Sequence, residues 1–220
     1  MINGINSREM ILEILLEIEE GEHSHVAIRN ALSKYQFLPK QDRAFITRVC
    51  EGTLEYRIQI DYIINSFSKV TVDKMKPAIR EILRSAVYQL KYMDSVPDSA
   101  VCNEAVKLAQ RKGFYNLKPF VNGVLRTIAR EMDQVRFPQK EDDLLKYLSV
   151  KYSMPEVLVT RWLEAYGEET TEKILADFLT EHPLTIRCRT YLNSKEEIIK
   201  SLESQGVHVA PAPHLSYAYS

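Results

Sequence analysis

The seven glycines of this 220-residue chain, Gly4, Gly21, Gly52, Gly113, Gly123, Gly167 and Gly206, never fall within five residues of one another. Phosphate-cradling turns need clustered glycines, so neither a G-x-G-x-x-G turn nor a G-x-x-x-x-G-K-[ST] loop can be written anywhere in it. A Rossmann-type nucleotide or S-adenosylmethionine site is therefore excluded from these residues. Sparse glycine also disfavours architectures built from many tight turns. With hydrophobic residues at 45%, the expectation is a mainly α fold around a substantial core.

The apolar spacing places the helices. Ile11, Leu12, Leu15 and Leu16 predict a first helix with Ser7 as N-cap and Gly21 at its stop. Ile28, Ala31, Leu32 and Tyr35 give a second that ends before Pro39, and Asp42 is read as the cap of a third. That third stripe, Phe45, Val49, Gly52, Tyr56, Ile60, Ile63 and Ile64, reads as one long helix, bent along its length. Pro77 opens a helix with the cleanest stripe in the chain, Ile79, Ile82, Leu83, Ala86, Val87 and Leu90. Pro97 and Asp98 open another that stops at Gly113, and a last one from about Leu117 carries Phe120, Val121, Val124, Leu125 and Ile128.

The polar, unperiodic stretch from Met132 to Asp143 marks the expected boundary between a helical domain, residues 1–135, and a smaller α+β domain, residues 136–220. Charge changes sign there. Up to Arg136 there are 20 Lys+Arg against 17 Asp+Glu, and beyond it 9 against 13. The second part predicts helices at Leu144 to Leu148, Pro155 to Tyr166 and Thr171 to Leu179, with Gly167 as a break. A strand from Leu184 to Tyr191 follows, then a capping box at Ser194 and Glu197 before a helix through Leu202, and a second strand at Val207 to Val209. Such a β-α-β unit leaves unpaired edges, and Ala210 to Pro213 trails away without closing it, so the chain reads as cut from something longer.

Catalytic constellations are scarce. The five histidines, His23, His25, His182, His208 and His214, form no H-x-x-x-H pair and lie far from cysteine in sequence, so no metal site is expected. Cys50, Cys102 and Cys188 are odd in number and never in a C-x-x-C pair. Paired carboxylates such as Asp142-Asp143 and Glu196-Glu197 read as solvated helix starts. Apolar stretches are broken by charge well before the roughly 18 to 20 residues a membrane span requires, and the N-terminus lacks a basic flank before an apolar run. A cytoplasmic protein without a membrane partner is expected.

The basic run Lys107, Arg111, Lys112, Lys118, Arg126, Arg130 and Arg136 carries the strongest functional signal, with Phe114 and Tyr115 as rings able to stack on bases. Arg126 and Arg130 share a helix face. The alternative reading is a solvated surface. The first helix carries Glu9, Glu13, Glu17, Glu19 and Glu20 and would repel phosphate, so RNA is expected on the opposite side.

Four words of the sequence, in order and spacing, resemble the NusB-like helical domain. They are Asp42-Arg43-Ala44-Phe45, Glu51-Gly52-Thr53-Leu54, Arg84-Ser85-Ala86-Val87-Tyr88-Gln89-Leu90 and Phe120-Val121-Asn122-Gly123-Val124-Leu125-Arg126. The continuation, Lys151-Tyr152-Ser153-Met154-Pro155, Arg161-Trp162, Ala165-Tyr166-Gly167-Glu168 and His182-Pro183-Leu184-Thr185-Ile186-Arg187, resembles the connector of the Sun/Fmu (RsmB) family of 16S ribosomal RNA cytosine-5 methyltransferases.

That resemblance implies S-adenosylmethionine as the cofactor of the full-length enzyme and a cysteine that adds to cytosine C6. In the family this cysteine follows Pro or Thr in a C-terminal catalytic domain. Here Cys50 follows Val49, Cys102 follows Val101 and Cys188 follows Arg187, so none inherits the role. The chain then reads as an N-terminal fragment with no catalytic or cofactor-binding residue of its own. Its expected partners are 16S ribosomal RNA and its own methyltransferase domain, and Lys112, Lys118, Arg126, Arg130 and Arg187 are its candidate RNA contacts. Two departures from the families stand out: Arg187-Cys188-Arg189 replaces the usual R-x-N, and the first helix is acidic where an antitermination factor is basic. The rival expectation is a NusB-like protein-interaction or antitermination module that never touches RNA.

Overall fold

A computed structural model describes residues 6–180, 184–212, 215 and 218–219. Among them the order is α1 (Ser7–Glu19), α2 (Ser24–Lys34), α3 (Lys40–Glu55), α4 (Arg57–Phe67), α5 (Pro77–Tyr92), α6 (Asp98–Arg111), α7 (Lys118–Glu131), α8 (Leu144–Lys151), α9 (Glu156–Phe178), β1 (Ile186–Arg187), α10 (Lys195–Ser204) and β2 (Ala218–Tyr219). Short 3-10 turns follow α4, precede α7 and follow it. The residues gather into two compact units that divide between Leu175 and Ala176.

In the first unit α5 lies at the centre, in contact with α1, α3, α4, α6 and α7. Ile79, Ile82, Leu83, Ala86 and Val87 are each 2% exposed or less, as the stripe requires. Ile11, Leu12, Ile14 and Leu15 of α1, Ile60, Ile63 and Ile64 of α4, and Val121, Leu125 and Ile128 of α7 complete this core. Burial of each such side chain contributes about 1.5 to 3 kcal/mol, and no single helix could hold its shape in water without it.

Several helix starts differ from expectation. Asn6, not Ser7, caps α1, its Oδ1 accepting from the Arg8 amide at 2.9 Å. α3 begins at Lys40, with Asp42 inside its first turn and Pro39 at the cap position. The long helix is two helices that meet at Tyr56, whose backbone leaves helical geometry. Just beyond the break, the Ile58 amide donates to Ser153 Oγ at 3.1 Å. The Tyr56 ring stacks on Tyr92 with centroids 4.2 Å apart, and Tyr88 stacks on Tyr92 in turn.

The polar stretch after α7 docks on the bundle. Val135 and Phe137 pack against the main core. The Tyr62 hydroxyl donates to the Arg136 carbonyl at 2.7 Å, and its ring stacks on Phe137. Gln59 Nε2 donates to the carbonyls of Val150 and Lys151, which fastens α8 to α4. Leu148, Val159 and Leu175 form a second small core with Leu144, Tyr147, Trp162 and Leu163 around it. Its charged counterpart is Glu172, which accepts from Lys140 and Lys151, each at 3.0 Å, and from the Tyr152 hydroxyl at 3.1 Å. Gly167, at φ 73°, breaks α9 where the sequence places a stop.

The second unit is the small α+β part. The capping box at Ser194 and Glu197 forms as expected, each residue's amide donating to the other's side chain. The expected β-α-β does not form. Residues 207–209 are not a strand, and β1 is only Ile186–Arg187. Its partner is β2, antiparallel, with Ile186 opposite Tyr219 and Arg187 opposite Ala218. The segment expected to trail away instead folds back: Pro211 bridges Tyr219, and the Ala212 amide donates to the Ala218 carbonyl at 3.0 Å. Pro211 and Pro213 lack the amides that would extend a ladder beyond Val209. His182, Pro183 and His214 lie outside the described residues.

Candidate nucleic-acid interface

α7 presents the basic run because its other side is committed to the core. Val121, Leu125 and Ile128 are wholly buried and Val124 nearly so, and this turns Arg126 and Arg130 to solvent on the opposite face. Arg126 is held in place by its own helix, its Nε donating to Asn122 Oδ1 at 2.9 Å. Its Nη1 and Nη2 have no hydrogen-bond partner among the described residues. Arg130, one turn on, pairs with Glu131 at 2.6 Å. Lys118 opens the helix, half-buried, and makes no ion pair among the described residues. Tyr115 is 60% exposed beside it, whereas Phe114 is half-buried beneath Lys76.

Lys112 sits elsewhere. At the cap of α6 its ammonium reaches across to Glu9 and Glu13 of α1, each at 3.0 Å; burial disfavours the charge, but the bonds to Glu13 and Glu9 together outweigh it and raise the pKa. The acidic helix is therefore not segregated from the basic run, as the sequence had suggested: one member of that run pairs with two of its glutamates. Lys107 is likewise paired, with Glu104 at 2.7 Å. Arg187 is exposed on β1 in the second unit. The structure thus brings Lys118, Arg126 and Arg130 onto one helix and places Lys112 and Arg187 on other elements. Asn122, the group that orients Arg126, was missed, although the i, i+4 spacing of an amide and a guanidinium was there to be read.

Elsewhere polar groups are engaged with one another. Arg84 makes a bidentate pair with Asp61, at 2.6 and 2.7 Å, and a further bond to Glu81. Burial outweighs Arg84 at Glu81 and holds that carboxyl above its ordinary range. Arg80 is occupied by Glu19 and the carbonyls of Val72 and Met75. Glu19, Asp61, Val72, Arg80, Glu81 and Arg84 line a cleft of about 360 Å³. A second cleft, of about 520 Å³, lies at the start of α1, where Arg8 stands over the Phe45 ring near exposed Phe37. All three cysteines are buried, and burial pushes the thiols of Cys50 and Cys102 up, away from the thiolate a nucleophile needs. No group of three metal-ligating side chains and no helix long and apolar enough to cross a membrane occurs among the described residues.

Comparison with known proteins agrees with this architecture. The NusB family model matches residues 5–130, and the model for the Methyltr_RsmF/B-like, ferredoxin-like domain matches residues 154–219. Over 202 residues the chain is 32% identical to the probable ribosomal RNA small subunit methyltransferase B of Bacillus subtilis, which takes in 92% of this chain and 44% of that protein. The crystal structure of PH0851 is similar in fold, with a TM-score of 0.69 at 22% identity, over 98% of this chain and 48% of that one. A crystal structure of the antitermination factors NusB and NusE in complex with dsRNA matches at a TM-score of 0.52 and 21% identity, over 56% of this chain and 93% of that one. The chain thus spans about half the length of the longer proteins it matches. It belongs to the NusB family and continues, past that domain, into a ferredoxin-like domain of the RsmF/B methyltransferase kind.

Proposed function

We propose that this chain is the ribosomal-RNA-recognising part of an S-adenosylmethionine-dependent 16S ribosomal RNA cytosine-C5 methyltransferase of the cytoplasm, whose catalytic domain lies outside these residues. Residues 1–135 bind RNA, and residues 136–220 connect that domain to the catalytic one. The observation that carries this reading is the order of two matches on one chain, a NusB domain and then a ferredoxin-like domain of RsmF/B type, shared along 92% of its length with a ribosomal RNA methyltransferase relative.

S-adenosylmethionine does not fit the residues present. Gly52 is filled against by Tyr88, the other glycines stand alone, and the Cys50 and Cys102 thiols are buried and held protonated. The chain's own work is therefore binding and positioning. Lys118, Arg126 and Arg130 on α7 supply phosphate contacts, with Arg187 as a contact in the second unit. Lys112, held by two carboxylates, contributes less than its charge suggests.

Charge reversal is the test. Removing one cation from a phosphate lowers the dependence of log K on log salt by about 0.7 to 0.9, so Lys118→Glu/Arg126→Glu/Arg130→Glu should bind a 16S ribosomal RNA hairpin more weakly and with a shallower salt slope. Unchanged affinity and slope would transfer the chain to the protein-interaction reading. Calorimetric titration with S-adenosylmethionine should give no heat of binding, and a micromolar dissociation constant would refute the assignment of the cofactor to another domain.

A further inference from the structure

Four positions of α7 are exposed, Pro119, Gly123, Arg126 and Arg130. Their steps of four, three and four form a straight line along the helix, opposite Val121, Val124, Leu125 and Ile128, because at about 100° per residue the four directions share one narrow sector. In the middle of that line stands a glycine the chain does not use. Gly123 is not among the glycines of positive φ, and a Cβ built on it meets no atom within 4 Å. Gly52 is the contrast, since Tyr88 occupies the space its side chain would need. A glycine inside an exposed helix weakens that helix relative to alanine, so the bare backbone at 123 lowers stability with no compensating contact inside the fold.

The surroundings indicate what approaches it. A helical side chain leans toward the preceding turn, so the Arg126 guanidinium, fixed through Nε on Asn122, lies over the turn that contains Gly123. Its two terminal nitrogens are uncommitted among the described residues. Arg130 continues the line, and Glu131, three-quarters buried, is the carboxylate paired against it. Bare backbone beside oriented guanidinium groups complements an anionic polymer more closely than an apolar helix.

We propose that the sugar–phosphate backbone of RNA crosses α7 at Gly123, in van der Waals contact with the helix backbone, with the terminal nitrogens of Arg126 on a phosphate and Arg130 on its neighbour. This rests on the RNA-recognition reading above and adds its contact point. The crossing reads backbone and shape, not base edges, so it tolerates changes of sequence. Lys118, about 100° around the helix from Pro119, grips from the flank.

Fluorescence anisotropy with a labelled 16S ribosomal RNA hairpin tests it on the full 220-residue chain, with urea unfolding of each variant alongside. Gly123→Ala and Gly123→Gln should unfold at the same or a higher urea midpoint than the wild type, since both residues favour helix. Gly123→Gln should nevertheless bind about tenfold more weakly, as a side chain forced into a close contact does, and Gly123→Ala by a smaller factor. If both glycine variants bind like the wild type while Arg126→Glu/Arg130→Glu loses the hairpin, the crossing is wrong and RNA recognition stands. If the wild type itself fails to bind at low salt, RNA recognition falls and the crossing falls with it.

Discussion

A methyl group at position 52 would overlap the Tyr88 ring, which is itself buried and stacked on Tyr92. Gly52→Ala should therefore destabilise by about 1 to 3 kcal/mol despite its better helix propensity. A gain in stability on urea unfolding would mean that the ring swings aside freely. Leu125→Ala, at a wholly buried position, should cost about 2 to 5 kcal/mol, and a loss under about 0.5 would show that the α7 stripe packs loosely. These two residues also mark what was legible. Leu125 could be read as core because helical period is a local property. The need for glycine at 52 could not, because it depends on a tyrosine from another helix. The same holds for the α1 cap, where Asn6 and Ser7 are both competent and only backbone geometry chooses between them. The pairing of Lys112 was hidden for a third reason: charge counted along the chain does not reveal carboxylates brought from α1 by the fold.

Among the elements, α8 and α9 are joined through an ionised side chain. Glu172 is held down to about 2 by hydrogen bonds from Lys140 and then Lys151, against an ordinary value of 4.5. A carboxylate whose folded pKa is depressed contributes stability above its unfolded pKa and loses it as pH falls through the folded one. The contribution of Glu172 should thus be complete at neutral pH and decline between about pH 4.5 and 2. Glu172→Gln should lower stability at pH 7 and flatten that part of the acid limb. Parallel urea midpoints for variant and wild type from pH 7 to pH 3 would show that the cluster is only a solvated surface. The helices themselves were largely readable, down to Pro77 at the first turn of α5 and Gly167 at the break in α9. The strands were not. Two-residue strands carry no period, and the partner of Ile186–Arg187 lies beyond two prolines.

At the scale of the whole molecule, the two family matches fall in the order the sequence motifs implied, although residues up to Leu175 form one compact unit in space. Composition reads as a boundary in the polar stretch after α7. It could not show that Tyr62 and Phe137 stack across that stretch, or that Gln59 holds the end of α8. A chain ended after residue 135 should therefore keep its helices but exchange the Ile58 amide hydrogen markedly faster than the full chain, because Ser153 no longer accepts from it. Equal protection in both would show that the Ser153 bond is not what shields that amide. The Ile58 amide and the Ser153 hydroxyl are separated by 95 positions of chain. Synthesis proceeds from the N-terminus, so the first turn of α4 keeps one amide open to water until Ser153 is made. The bundle is in that sense completed by its own sequel: a ribosome that stops early leaves that helix start open to water.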